Sequence, residues 1–127
     1  MFSYLEGRVT ERDLDCMTVD VGGMGFLVYA SPQTISQADS DHCRIYTRVV
    51  FKENGMDIFG FLTKEEREMF DRLTAVSGVG PKTAKALMTQ FKSVGAVKEA
   101  TPDQLENTPG VGRQMAQTIY EYFHPQG

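Results

Sequence analysis

The phrase Ser-Gly-Val-Gly-Pro-Lys-Thr-Ala-Lys-Ala-Leu runs from Ser77 to Leu87, and Pro-Gly-Val-Gly-Arg-Gln-Met-Ala-Gln-Thr-Ile follows from Pro109 to Ile119. The two are offset by 32 residues, and the match extends beyond the glycines. At that offset Leu73 faces Leu105, Gly78 faces Gly110, Val79 faces Val111, Gly80 faces Gly112, Ala84 faces Ala116 and Leu87 faces Ile119. What repeats is therefore a helix–turn–helix unit with its packing residues included. Glycine costs backbone entropy, so a Gly-Val-Gly written twice marks a sharp turn. Both glycines are expected at positive φ, with the valine between them anchoring the loop in the core. The amides of the second glycine and of the next helical turn should then point outward together, a natural seat for a phosphate oxygen. Lys82 and Arg113 follow as cations that add charge without reading bases. A single Gly-x-Gly reads as easily as a compact helix connection. Two in one frame, each opening a helix and each followed by a basic residue, favour phosphate binding, with both strands of one duplex held across the minor groove.

The rest of the second half is consistent with helices. Thr63 with Glu66 forms a capping box, and Met69, Phe70, Leu73 and Val76 make an inward stripe. Pro81 suits a first helical position, with Ala84, Leu87, Met88 and Phe91 on one face behind it. A short helix should begin near Val94. Thr101, Pro102 and Gln104 repeat the capping logic, and a last helix from Arg113 to Phe123 buries Ala116, Ile119 and Phe123.

Residues 1–62 are different. Five short runs rich in β-branched and aromatic residues are punctuated by Gly, Asp and Asn. Met17, Val19 and Val21 alternate with Cys16, Thr18 and Asp20, as in a half-buried strand. Gly22–Gly25 should join two strands and Lys52–Gly55 two more, the latter through an Asn54-Gly55 pair whose residues both tolerate positive φ. Residues 31–41 look like a loop with one helical turn. Five strands in this span predict a closed barrel of the oligonucleotide-binding type; a flat sheet packed on the helices is the alternative. The fold class expected is mixed α+β, with an OB-fold-like β-barrel over 1–62 and an all-α tandem helix–hairpin–helix domain over 63–127.

Charge qualifies the functional reading. The net charge is −4, carried by nine acidic and five basic residues in 1–62, against eight of each in 63–127. Bulk attraction to DNA is thus not the mechanism, and contact must come from local geometry. No apolar run approaches the length of a spanning helix, and "MFSYLEGRV" has no basic leader before an apolar core; a cytoplasmic protein without a membrane partner is expected. Cys16 and Cys43 stand alone and read as two buried thiols rather than a zinc site or disulfide framework. No metal and no cofactor are expected.

The double phrase, preceded by "RVVFKENGMDIFGFLTKEEREMFDRLTAVSGVGPKTA", resembles the RuvA family of bacterial Holliday-junction recognition proteins, over essentially all of the chain. The resemblance implies a barrel that assembles as a homotetramer, or an octamer on DNA, and hairpins that grip the arms of a four-way DNA junction. It implies recruitment of the ring ATPase RuvB for branch migration, in recombination and repair. It places DNA contacts at Gly78, Val79, Gly80, Lys82, Thr83, Gly110, Val111, Gly112, Arg113 and Gln114, and an acidic pin at Glu53 and Asn54. Three departures accompany it. Gln114 stands where many members have a second basic residue, so a weaker or more salt-sensitive grip is expected there. Asn54 is neutral, leaving Glu53 as the one acid of the pin, with Asp57 further back. The chain stops at "HPQG" where members continue into a third domain that touches the ATPase, so coupling to RuvB is expected only if such a domain exists in the full protein. Intrinsic catalysis is disfavoured. The helical half leaves little room for a base-flipping pocket, and the acids are too scattered for a metal-dependent nuclease. A non-catalytic DNA-binding subunit is the expectation, and a protein-interaction module whose hairpins serve packing only is the alternative.

Overall fold

A computed structural model of the chain describes residues 1–125. It divides into two compact units, Met1–Arg67 and the residues from Glu68 onward.

The first unit is a closed five-stranded barrel. Its strands are β1 (Tyr4–Arg12), β2 (Cys16–Val21), β3 (Met24–Tyr29), β4 (Cys43–Lys52) and β5 (Gly55–Phe61), in the spatial order β1-β2-β3-β5-β4. All neighbours are antiparallel except β3 and β5. Alternation selects the inner faces: Met17, Val19, Val28, Ile45, Val49 and Ile58 are buried together. Gly60 is demanded by this closure, because a β-carbon there would collide with the side chains of Val28 and Ile45. Gly22 and Gly23 turn β2 into β3 at φ 60° and 93°, the left-handed pair that matches strand twist.

The span read as a loop with one helical turn contains α1 (Pro32–Gln37), capped by the Ser31 hydroxyl, which accepts from the Thr34 amide at 3.1 Å. The Arg12 guanidinium ties this crossover to β1 by donating to the carbonyls of Ile35 and Ala38 and to Ser40 Oγ. Two expectations are corrected here. The β4–β5 register pairs Lys52 with Gly55, the span expected for the connection, with Glu53 and Asn54 in the turn. Gly55 takes φ 144° while neither of those two has positive φ. Of the thiols, Cys43 is buried, whereas Cys16, at the open start of β2, is only half-buried. Burial pushes the Cys43 thiol pKa up.

The helices are α2 (Lys64–Thr74), α3 (Pro81–Gln90), α4 (Val94–Glu99), α5 (Pro102–Glu106) and α6 (Arg113–Phe123). Thr63 Oγ1 caps α2, accepting from the Glu66 amide at 3.1 Å. At α5 the full capping box forms between Thr101 and Gln104. Leu73, Leu87, Leu105 and Ile119 are fully buried and Phe70, Val76 and Ala116 nearly so, each large apolar side chain contributing about 1.5–3 kcal/mol. Met88 and Phe91 are half-buried, the latter because it is the extended cap that ends α3. No helix among the described residues is long and apolar enough to cross a membrane.

Candidate nucleic-acid interface

The two Gly-Val-Gly turns are copies in conformation as well as in sequence. Gly78 sits at φ 87° and Gly110 at φ 85°, a region that other residues enter only with strain. One residue on, Val79 and Val111 are both 5% exposed. Their amides donate to the carbonyls of Val76 and Thr108, each at 3.0 Å. Next, Gly80 (φ −85°, ψ 176°) and Gly112 (φ −87°, ψ −179°) are extended and act as helix N-caps. The first intrahelical bonds, Ala84 to Gly80 and Ala116 to Gly112, are both 2.9 Å.

This geometry corrects two sequence expectations. Only the first glycine of each turn uses positive φ. The amides of Val79 and Val111 are not available to a ligand, because driving the valine side chain inward turns its N–H back onto the preceding carbonyl. These valines are anchors, and the donors come later in each turn.

Those donors are unusually bare. Ser31, Thr63, Ser93 and Thr101 each accept a hydrogen bond from the first turn of their helices, whereas α3 and α6 begin at glycine with no side-chain cap. The amides of Lys82 and Thr83 in α3, and of Arg113, Gln114 and Met115 in α6, therefore lack intrahelical acceptors. Pro81 has no N–H to offer, so the second copy presents one donor more. A β-carbon built on Gly80 or Gly112 meets nothing within 4 Å. Neither backbone conformation nor internal packing requires glycine at these two positions. The two mouths adjoin, since a β-carbon on Gly110 would lie 3.7 Å from Thr83 Oγ1. The two helix N-termini thus lie close together, each carrying the positive end of its dipole.

A model of the RuvA N terminal domain matches residues 1–60, and a model of the SAM-like helix-hairpin-helix tandem matches residues 70–124. Proteins named Holliday junction branch migration complex subunit RuvA are 37% identical over 124 residues in Rubrobacter xylanophilus, 36% over 124 in Beutenbergia cavernae and 31% over 122 in Lactobacillus delbrueckii subsp. bulgaricus. Each match covers 94% of this chain. The chain belongs to the RuvA family. It spans 61–63% of the length of these RuvA relatives.

Within this RuvA-family chain the two hairpins differ in charge. Residues 72–98 carry Arg72, Lys82, Lys85, Lys92 and Lys98 and no acid. Residues 99–121 carry Glu99, Asp103, Glu106 and Glu121 against the lone Arg113. Glu106 lies beside the second mouth, its Oε1 3.9 Å from Arg113 Nε, whereas Lys82 is exposed within the all-basic stretch. Counting charge by halves concealed this segregation, which a shorter window over the same residues reveals.

The hairpin-tip residues Glu53 and Asn54 are exposed and belong to the barrel unit. Behind them Asp57 is held by Lys52 at 3.1 Å, so its charge is locally cancelled. Among the described residues there is no group of three or more metal-ligating side chains.

Proposed function

We propose that this chain is the DNA-binding part of a branch-migration subunit, which recognises four-way DNA junctions by structure and not by sequence. The observation that carries the reading is the pair Gly80 and Gly112, whose missing side chains serve neither conformation nor packing. Main-chain amides cannot tell one base from another, so such a grip is sequence-independent. In this reading Gly78 and Gly110 set the turns, and Val79 and Val111 hold them in the core. The phosphates are taken by the amides near Gly80, Lys82 and Thr83 and near Gly112, Arg113 and Gln114, with the Lys82 and Arg113 side chains adding charge. The barrel over 1–62 assembles the subunits as a homotetramer, or an octamer on DNA, bringing the Glu53–Asn54 tips near the crossover, where Glu53 repels phosphate. The helical part over 63–127 holds the arms. The subunit itself is non-catalytic and cytoplasmic, and RuvB recruitment depends on a further domain in the full protein.

The test is a gel-shift titration of an immobile four-way junction against a linear duplex of equal length, repeated across salt. Junction binding is expected to be tighter, indifferent to base sequence, and to fall by orders of magnitude between about 50 and 200 mM salt if six or more phosphates are held. Equal weak binding to both DNAs overturns the reading and favours a protein-interaction module.

A further inference from the structure

Along β4 the side chains of Cys43, Ile45, Thr47 and Val49 are buried, while Arg44, Tyr46, Arg48 and Val50 between them are not. The odd-numbered positions therefore face the barrel core. Phe51 has the same parity. Its partner in register is Met56, on the rung that continues the face of the buried pair Val49 and Ile58. Yet Phe51 is 66% exposed and Met56 47%. The hairpin overruns the barrel, and the core-facing side of its two strands extends into solvent with two large apolar side chains on it. Sheet edges and ends are ordinarily blunted by charge at such places, and here the charge stands just beyond. Lys52 and Asp57 neutralise each other at 3.1 Å, and Glu53 occupies the turn.

We propose that Phe51 and Met56 form a stacking platform for a nucleobase at the crossover of a four-way junction. The inference rests on the proposed function, which brings this tip to the crossover. The occupant follows from charge. A phosphate is repelled by Glu53. A nucleobase is flat, neutral and able to stack on an aromatic ring whatever its identity, and the methionine sulfur adds a polarisable contact. The crossover is also where duplex stacking is interrupted, so a base is exposed there at least cost. Glu53 and the apolar rung then have complementary roles, one turning the backbone away and the other receiving the base.

The test places 2-aminopurine, a fluorescent adenine analogue, either at the crossover or within an arm of an immobile junction. Binding of the 127-residue chain is expected to change the crossover signal and leave the arm signal constant. The double variant Phe51→Ala/Met56→Ala is expected to lose that change and to bind the junction about tenfold more weakly, equivalent to about 1.4 kcal/mol of stacking. Phe51→Trp retains both. Because the two side chains are exposed, the variant should melt like the parent by circular dichroism. A variant that keeps the crossover signal overturns the inference. So does one whose assembly mass changes in light scattering, since the rung would then join copies of the chain. A parent that binds the junction with no crossover signal sinks this inference alone; a parent that does not bind the junction sinks the proposed function with it.

Discussion

Val76 in the first hairpin and Thr108 in the second occupy the same place in the same turn, and each accepts the N–H of the valine three residues later at 3.0 Å. Both are at most 2% exposed. Val76 fills its site with methyl groups, whereas Thr108 buries a hydroxyl that has no hydrogen-bond partner among the described residues. The mouths differ in the same spirit. The first lies within a stretch of five basic residues without an acid, and the second has Glu106 facing its one arginine. One backbone path thus carries two chemistries. The path is set by a left-handed glycine, a buried valine and an uncapped helix start; the remaining positions are free to adjust strength.

The largest effects should come from separating the two glycines of each turn. Gly78→Ala or Gly110→Ala forces a β-carbon into the left-handed region and should lower stability by about 1–3 kcal/mol, read as a fall in melting temperature. Gly80→Ser or Gly112→Ser should act oppositely on folding. The hydroxyl caps its helix and adds a few tenths of a kcal/mol. It also takes an amide and fills the approach, so junction affinity should drop about 10- to 100-fold, the equivalent of one charge-assisted hydrogen bond. Parallel loss of folding and binding in the serine variants would show the second glycines to be structural.

The valine–threonine difference gives the next test. Thr108→Val removes an orphaned hydroxyl and should stabilise the helical unit by about 1 kcal/mol, and Val76→Thr should destabilise it by about 1–3 kcal/mol. A thermal melt of each decides. Equal and small shifts would mean that both sites reach a partner after local adjustment.

Charge should matter least per residue. Lys82→Ala is expected to weaken junction binding about three- to tenfold and to reduce the salt slope by about one. Arg113→Ala should cost less, because Glu106 already competes for the guanidinium. That pair is exposed, so its own contribution is within about 1 kcal/mol, and Glu106→Gln should tighten binding about twofold. Equal slopes for Lys82→Ala and Arg113→Ala would erase the proposed asymmetry.

Much of this architecture is readable from the residues themselves. The alternation in Cys16–Val21, the Gly22–Gly23 turn and the capped start at Thr101 each have one physical solution, and the structure adopts it. The span of the tip turn is readable, since Lys52 pairs with Gly55; its dihedrals are not, because Gly55 takes positive φ and Asn54 does not. At the hairpins the valine's inward side chain is legible as hydrophobic, whereas the internal use of its amide depends on the direction of the chain three residues earlier. Cys16 is more open than its type suggests because it lies at the end of a strand, not in the middle.

The nearness of Gly110 to Thr83 has a consequence for what the helical unit could admit. Two seats held side by side in one compact unit would behave as a caliper. Under the proposed function they gauge the gap between the rails of a double helix, and B-form DNA with its minor groove about 6 Å across would be accepted. The broad, shallow groove of duplex RNA would set its phosphates too far apart for both seats to close at once. Selectivity for the type of nucleic acid would then come from spacing, with no side chain ever reading a letter.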